Sequence, residues 1–460
     1  MKNAIVEKGL KPSFDKKYNA WLQVKNNWNQ VCNAGMTVGA MAVYEDYPEL
    51  AEKIIERSIQ SVQIPMKRYA PDGTCPEGYS CWAYGTTYSV LLIDALEGVL
   101  ETYFGLKKSP GFLKTASFFQ QLLGPTQQSF NYSDGNSTPE MAAASFWFAH
   151  QNNTPSLAWN DVQMIKEGNA KMMEADRFLP FVLIWGNRLG KDKIQRPQQL
   201  FWSRDGENLV ALMRTSWKNK DALSLGFKLG SHNMEYGHMD VGSFVFDALG
   251  ERWSMDFKMQ SYITLEQKGL NLWTYGQNSD RWTVFRYKNQ SHSTLTFDEQ
   301  LQVVKGKAVL GKTSSHPNFS FAISDISELY ANKVKKAVRG VALRNKKYAL
   351  IQDEITTGPS SVKLRWSMPT EAKAEVLSPN ELLLTKNGEK LLLKVHSDVP
   401  VQATTWSTTS PNDFDAPNPG SGIVGFEANI PSESEATFSV QLIPKAKVLK
   451  SEKIIPLSQW

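Results

Sequence analysis

Residues 231–256 read SHNMEYGHMDVGSFVFDALGERWSMD, and the fold class follows from how this stretch is parsed. A loop rich in His, Asp and Tyr runs into Gly242–Ala248, where the residues alternate with the period of a strand. Leu249-Gly250 then supplies a reverse turn that brings Asp256 back alongside His238. Strand, tight turn and return make an antiparallel hairpin. The same rhythm recurs toward the C-terminus at Lys347–Asp353, with turn signals such as Lys386-Asn387-Gly388. Upstream it starts at Asn208–Thr215 and Ala222–Leu229, after the turn Arg204-Asp205-Gly206. One irregular stretch, SPNDFDAPNPGSG at 410–422, interrupts it. This much antiparallel structure exceeds one small sandwich. The expected organisation is a large antiparallel β-sandwich over 196–370 and a small C-terminal β module over 371–460.

Residues 1–195 follow the helical period instead. From Asp46 to Ile64 the apolar positions Leu50, Ile54, Ile55, Ile59 and Val62 share one face, Asp46 is placed to cap, and Pro48 suits the first turn. A second helix is predicted with Tyr88, Leu92, Ala95, Leu96, Val99 and Tyr103 as its stripe and Gly105 as its stop. A third is expected from Ser137, because Ser137 and Glu140 have capping-box spacing and Pro139 can open the turn. Such helices, joined by aromatic, Gly-rich loops, point to a paired-helix bundle or toroid. The chain therefore reads as α+β and multidomain, helices first.

Composition excludes several function classes. Of 460 residues, 41% are hydrophobic and 21% charged, which excludes wholesale disorder. No apolar run approaches the roughly 18–20 residues of a membrane span. A net charge of +5 is too mild for a nucleic-acid partner, yet compatible with an acidic substrate. The 14 Trp, 15 Tyr and 22 Phe serve either a large core or platforms for flat sugar rings. Cys32, Cys75 and Cys81 read as free thiols rather than as a disulfide framework. The opening MKNAIVEKGLKPSF has no apolar signal core. Nucleotide-binding and common hydrolase motifs are absent from the sequence.

Three clusters are candidates for chemistry. VKNNWNQVCNAGM, residues 24–36, sets Asn26, Asn27, Asn29 and Asn33 around Trp28 at a helix start. Asparagine is a poor helix former, so these serve as caps and a buried amide network or as neutral donors around a substrate anion. YAPDGTCPEGYSCWAYGTTY, residues 69–88, crowds Glu77, Tyr79, Trp82, Tyr84 and Tyr88 before a helix, as groove-lining loops do. The third is the opening stretch, with His232, Tyr236, His238, Asp240 and Asp256, in a chain holding six His; His292 is a further member. Two His and a carboxylate on adjacent strands suit a zinc ion with one open position, the alternative being hydrogen-bonded structural histidines.

Taken in order, NNWN, PDGxxPEGxxxWxYG, FNYSDG (130–135), GHMDVGSFxxxxxGERWxxD and SHSTL resemble the heparinase II/III group of polysaccharide lyases, and within it polysaccharide lyase family 33 most closely. The resemblance implies an (α/α) toroid over 1–195, followed by antiparallel β-sheets. The helical part has room for seven or eight helices where the complete toroid has more, so an N-terminally incomplete toroid is expected. Membership implies export, hence a secreted or periplasmic full-length parent. Tyr84 falls where the family places its catalytic tyrosine, and Asn27 or Asn29 near the position that neutralises the substrate carboxylate. Many relatives follow that asparagine with histidine, whereas this chain has Trp28. Tyr236 stands where relatives carry a catalytic His or Tyr. His238, Asp256 and His292 match the relatives' zinc ligands, and the ion is implied to be mainly structural.

The implied chemistry is β-elimination at a uronic acid of an acidic polysaccharide such as hyaluronan, chondroitin, heparan or gellan. Amide donors lower the cost of charge on the carboxylate by ~3–4 kcal/mol each. A phenol has a pKa of about 10, so Tyr84 serves readily as the acid toward O4 and needs a nearby cation to act as the base. Trp28, Glu77, Tyr79, Trp82 and His232 are the expected substrate contacts. The competing expectations are a catalytically impaired glycan-binding protein with the same groove, and a glycoside hydrolase, which needs two facing carboxylates.

Overall fold

The computed structural model describes residues 2–168, 176–190, 194–447 and 453–460. Two compact units divide the chain. One comprises Met1–Gln121, Pro139–Pro197 and Asp205–Glu207, the other Leu122–Thr138, Gln198–Arg204 and Asn208–Trp460. Among the described residues no helix is long and apolar enough to cross a membrane.

The first unit is helical. Helix α1 (Asn27–Met41) starts because Asn26, in extended conformation, accepts the Trp28 N–H on its side chain. Helix α2 (Pro48–Met66) opens on proline and buries Ile54, Ile55 and Val62 of the expected stripe together with Ala51, while Leu50 and Ile59 are half-buried. Asp46 does not cap it; its carboxylate pairs with Lys2. Helix α3 (Thr87–Leu100) follows a π-helical turn, Trp82–Thr86, and ends where Glu101 turns left-handed (φ 55°), before the expected stop at Gly105. Three free thiols lie in this unit, and burial, helped by Glu77, pushes Cys75 up to about 12.

The third expected helix begins later. Helices α4 (Thr115–Leu122) and α5 (Ala144–Gln151) bracket a non-helical stretch in which Ser137 caps nothing. Its carbonyl accepts the Ser129 N–H, and Asn136 takes the Thr138 N–H, so the residues read as a capping box close a hairpin instead. Helices α6 (Trp159–Lys166) and α7 (Leu179–Gly186) follow. In α6 the buried Asp161 accepts the Ala142 N–H at 2.7 Å, and burial nevertheless raises its carboxyl to about 7.

The second unit is built on antiparallel sheets, with a short helix (Tyr262–Glu266) and several 3₁₀ turns between their strands. Strands β1–β5 (Phe201–Arg204, Val210–Arg214, Ser224–Lys228, Phe244–Ala248, Glu251–Ser254) pair in simple succession. The predicted hairpin at Gly250 is β4–β5. Strand β6 (Leu295–Phe297) joins a four-stranded sheet, and β7 (Val309–His316), β8 (Phe319–Asp325), β9 (Val334–Arg344) and β10 (Tyr348–Thr357) lie consecutively in an eight-stranded one. The small module expected over 371–460 does not stand apart. Strand β11 (Val362–Thr370) pairs with β12 (Gly422–Ile430), setting Phe426 beside Trp366, and β13 (Glu435–Pro444) pairs with β10. Ten-residue β10 would otherwise expose a whole edge of unpaired N–H and C=O groups. One apolar core, including Phe227, Phe246, Trp253, Trp366 and Phe438, draws on all three sheets. The irregular stretch at 410–422 docks through Asp415, which accepts the Phe285 N–H, and Asn418, which accepts from Arg286.

Two details position the loops that carry the candidate ligands. A Cβ on Gly226 of β3 would lie 2.7 Å from the Phe130 ring, so this glycine lets the FNYSDG hairpin lie flat on the sheet. Fully buried Arg339 of β9 makes a two-pronged pair with Asp353 of β10 (2.7 and 2.9 Å), and its Nη1 donates to the carbonyls of Gly242 and Ser293. Those carbonyls belong to the loops of His238 and His292.

Two predictions follow from buried charge. Removing one partner strands the other, so Asp353→Ala lowers the unfolding free energy by about 3–5 kcal/mol in a urea titration. Asp161 carries the opposite sign from a paired acid: its folded pKa is raised, so between about 4 and about 7 the unfolded chain releases a proton that the fold keeps. Stability of the helical unit therefore falls as pH rises through that window, and Asp161→Asn flattens the fall in melts recorded from pH 4 to 8.

Candidate active site and metal centre

In the helical unit the four asparagines divide by role. Asn29 is fully buried and donates to the Leu22 carbonyl and Ser61 Oγ, both at 3.1 Å. Asn33 donates to Asn29 Oδ1 at 2.7 Å and to Ser61 at 2.9 Å. With Asn26 as the cap, three of the four hold the helix start together. Asn27 is half-buried at the surface, its amide donating to Glu77 Oε2 at 2.5 Å. Beside it Trp28 is 58% exposed.

The AYG triplet lies against this helix start. A Cβ on Gly85 would come within 2.7 Å of Asn27 Cβ, so only glycine lets the π-turn approach this closely. That contact holds Tyr84 next to Asn27 in the fold, and Tyr84 is 37% exposed. Its edge meets Tyr88 at 5.2 Å, and the Arg177 guanidinium stands 5.9 Å from the Tyr84 ring centre while donating to the Tyr88 hydroxyl at 3.2 Å. Arg177 escaped the sequence reading: it lies far along the chain, and nothing in its local context marks it.

Two expected sugar platforms are core side chains. Tyr79 is 1% exposed, donates to the Glu140 carbonyl at 3.0 Å and stacks on Phe119. Trp82 is wholly buried, donates to Thr115 Oγ1 at 2.7 Å and stacks on the same ring. Aromatic loops before a helix serve core and groove equally well by composition, and here the apolar faces of α4 and α5 claim both rings. His232 is corrected likewise. It is fully buried and donates from Nε2 to the Val303 carbonyl at 3.0 Å, and burial, reinforced by Lys228, pushes it down to about 4.

In the β unit the structure brings His238, Asp256 and His292 together. All three are buried, and one candidate ligand atom from each lies within 4.8 Å of the others. His292 Nδ1 comes within 2.9 Å of Asp256 Oδ2 without hydrogen-bond geometry, and neither of its ring nitrogens has a partner among the described residues. His238 engages Asp134 through Nε2 at 2.8 Å, leaving a buried, unpartnered Nδ1. Burial holds His238 below its ordinary pKa, although Asp134 pulls the other way. Unpartnered nitrogen lone pairs facing a carboxylate in a dry cluster are costly unless a cation satisfies them. The donor set fits one.

Around this cluster the charges are paired. Asp134 also takes Arg281 at 2.9 Å and the Tyr262 hydroxyl at 2.7 Å. Asp240 is bonded to Lys228 at 2.6 Å; burial works against its ionisation, yet Lys228 holds it at about 2. Tyr236, 7% exposed, is held left-handed (φ 65°) by its N–H on Tyr275 Oη and its carbonyl on the Asp134 N–H. The buried network around Asn29 yields a prediction. Asn29→Ala leaves Ser61 and Asn33 short of partners and costs about 1–3 kcal/mol of stability, read by chemical denaturation.

Residues 210–426 match the family model described as Heparinase II/III-like, C-terminal. No curated protein matches the chain. Among solved structures, a heparinase III superposes with a TM-score of 0.65 at 14% identity, over 91% of this chain and 61% of that one. A mutant heparan sulfate lyase from Pedobacter heparinus gives 0.60 at 15% identity, over 92% and 60%. The chain thus spans about three fifths of the length of these structures. Residues 210–426 are thus similar to the heparinase II/III-like C-terminal domain, and the order of helices first and antiparallel sheets after is the fold the chain shares with these structures.

Proposed function

We propose that this chain is a polysaccharide lyase that cleaves a uronic-acid-containing polysaccharide by β-elimination, leaving an unsaturated uronate. One observation carries this reading: an exposed phenol, Tyr84, sits on a turn packed tightly against Asn27, with the Arg177 guanidinium beside it. Support comes from the heparinase II/III-like domain and from likeness to a heparinase III and a heparan sulfate lyase. A glycosaminoglycan is accordingly the first substrate class to test, with gellan as the outlier, and family 33 is the proposed placement. The full-length parent is proposed to be secreted or periplasmic.

Each group has a task set by the chemistry. The Asn27 amide turns from Glu77 to the substrate carboxylate, so that charge developing there on loss of the C5 proton meets a fixed donor. Asn29 contributes indirectly, by holding that helix start. Tyr84 takes the C5 proton and delivers a proton to the O4 leaving group. Tyr236 is assigned to assist, and Trp28 to stack on a sugar face. The cation proposed at His238, Asp256 and His292 is Zn2+; when bound it supplies a fixed positive charge that ties two loops of the β unit together. Glu77 accepts the Asn27 amide, whereas a glycoside hydrolase needs two carboxylates free to face the bond.

The test is a panel of hyaluronan, chondroitin, heparan sulfate and gellan, followed by the ultraviolet absorbance of unsaturated uronate. At least one polymer is expected to give the signal, and Tyr84→Phe to reduce the rate by about 10²–10⁴-fold. Full activity in Tyr84→Phe would refute the assignment of that residue. Binding of these polymers without any absorbance rise would favour a glycan-binding protein instead.

A further inference from the structure

The FNYSDG hairpin has no role in the chemistry above, yet it reaches the metal cluster at two points. Asp134, 6% exposed, joins Oδ1 to His238 Nε2 at 2.8 Å, and Asn131 Nδ2 lies 3.3 Å from Asp256 Oδ1. Two of the three candidate ligands are therefore contacted by one six-residue segment. A histidine ring has two nitrogens, and the one bonded to a carboxylate acts as the N–H donor, which leaves the other as the lone-pair donor.

We propose that Asp134 is the outer carboxylate of the metal centre: it selects the His238 tautomer that offers Nδ1 to the cation, and through its own backbone it links that centre to Tyr236. Asp134 is itself held by Arg281 at 2.9 Å and Tyr262 at 2.7 Å, so its carboxylate has a single orientation. Arg281 also donates from Nε to the Gly237 carbonyl at 2.8 Å, next to His238. The Asp134 N–H meets the Tyr236 carbonyl at 3.1 Å, so the peptide that carries the outer carboxylate also holds Tyr236 in its left-handed conformation. Asp134 is a positioning residue here, acting on the cation only through His238. Asn131 performs the same service for Asp256 more weakly, at longer range.

This inference rests on the proposed metal centre, and the experiment separates the two. The full chain is stripped with a chelator and titrated with Zn2+ against a competing indicator, with metal content measured after dialysis. The parent is expected to bind one ion, and Asp134→Asn to bind it about 10–100-fold more weakly. Tyr262→Phe, which removes one support from Asp134 and keeps every charge, is expected to fall between them, and it decides the matter if Asp134→Asn does not fold. With Co2+ in place of Zn2+, the visible bands of Asp134→Asn should keep the parent's intensity class, because no ligand is lost. A folded Asp134→Asn with parental affinity overturns the inference while sparing the metal centre. Bands reporting a changed coordination number overturn it differently, making Asp134 a ligand. A parent that binds no ion overturns the metal reading itself.

Discussion

A guanidinium without solvent is costly unless its donors are engaged, and Arg339 makes four hydrogen bonds: two to Asp353 and one each to the carbonyls of Gly242 and Ser293. The β unit repeats this device. Lys228 with Asp240, Arg252 with Asp247 and Arg281 with Asp134 are each almost wholly buried. Isolated, any of these ions would cost many kcal/mol to bury; paired and hydrogen-bonded, they make certain loop positions the only acceptable ones. What they position is informative. Arg339 pins the loops of His238 and His292, Arg281 and Asp134 orient the His238 ring, and Lys228 holds Asp240 within the same block.

The helical unit solves a different problem with a different device. Its candidate chemistry lies on the outside of α1 and the π-turn, so the backbone beneath must be rigid. Asn29, Asn33 and Ser61 supply that rigidity through a buried amide network. Gly85 then allows a close approach that any side chain would prevent. The outcome is a half-buried amide and an exposed phenol on adjoining turns, while Arg177 arrives from the start of α7 to place a cation near the phenol pair. A π-turn at this spot is consistent with the tendency of such turns to occur at functional sites.

Much of this was legible in the residues. The period change near residue 196, the hairpin at Gly250 and the stripe of α2 follow from apolar spacing, which reports burial directly. The approach of Asp256 to His238 was legible too, because a hairpin turn brings its two arms together, while His292 joined them through the family resemblance. Other features were not. Ser137 and Glu140 have capping spacing, but hydrogen bonds within the 129–138 hairpin use that backbone first. Tyr79 and Trp82 have the composition of sugar platforms, yet Phe119 stacks on both. The strands after 371 look like a separate module, since no local signal says that β10 still lacks a partner on its far edge.

The sequence by itself determined the helical and strand regimes, where the two meet, and which residue types are available for acid–base and metal chemistry. These are local properties, written in periodicity, turn residues and side-chain pKa. Only the tertiary structure decided which asparagine is exposed, which aromatics are core, which carboxylate faces His238, and that Arg177 stands beside Tyr84. Those outcomes depend on which of several chemically equivalent partners arrives first in space, and that is set by long-range packing and by the high cost of leaving a buried polar group unpaired.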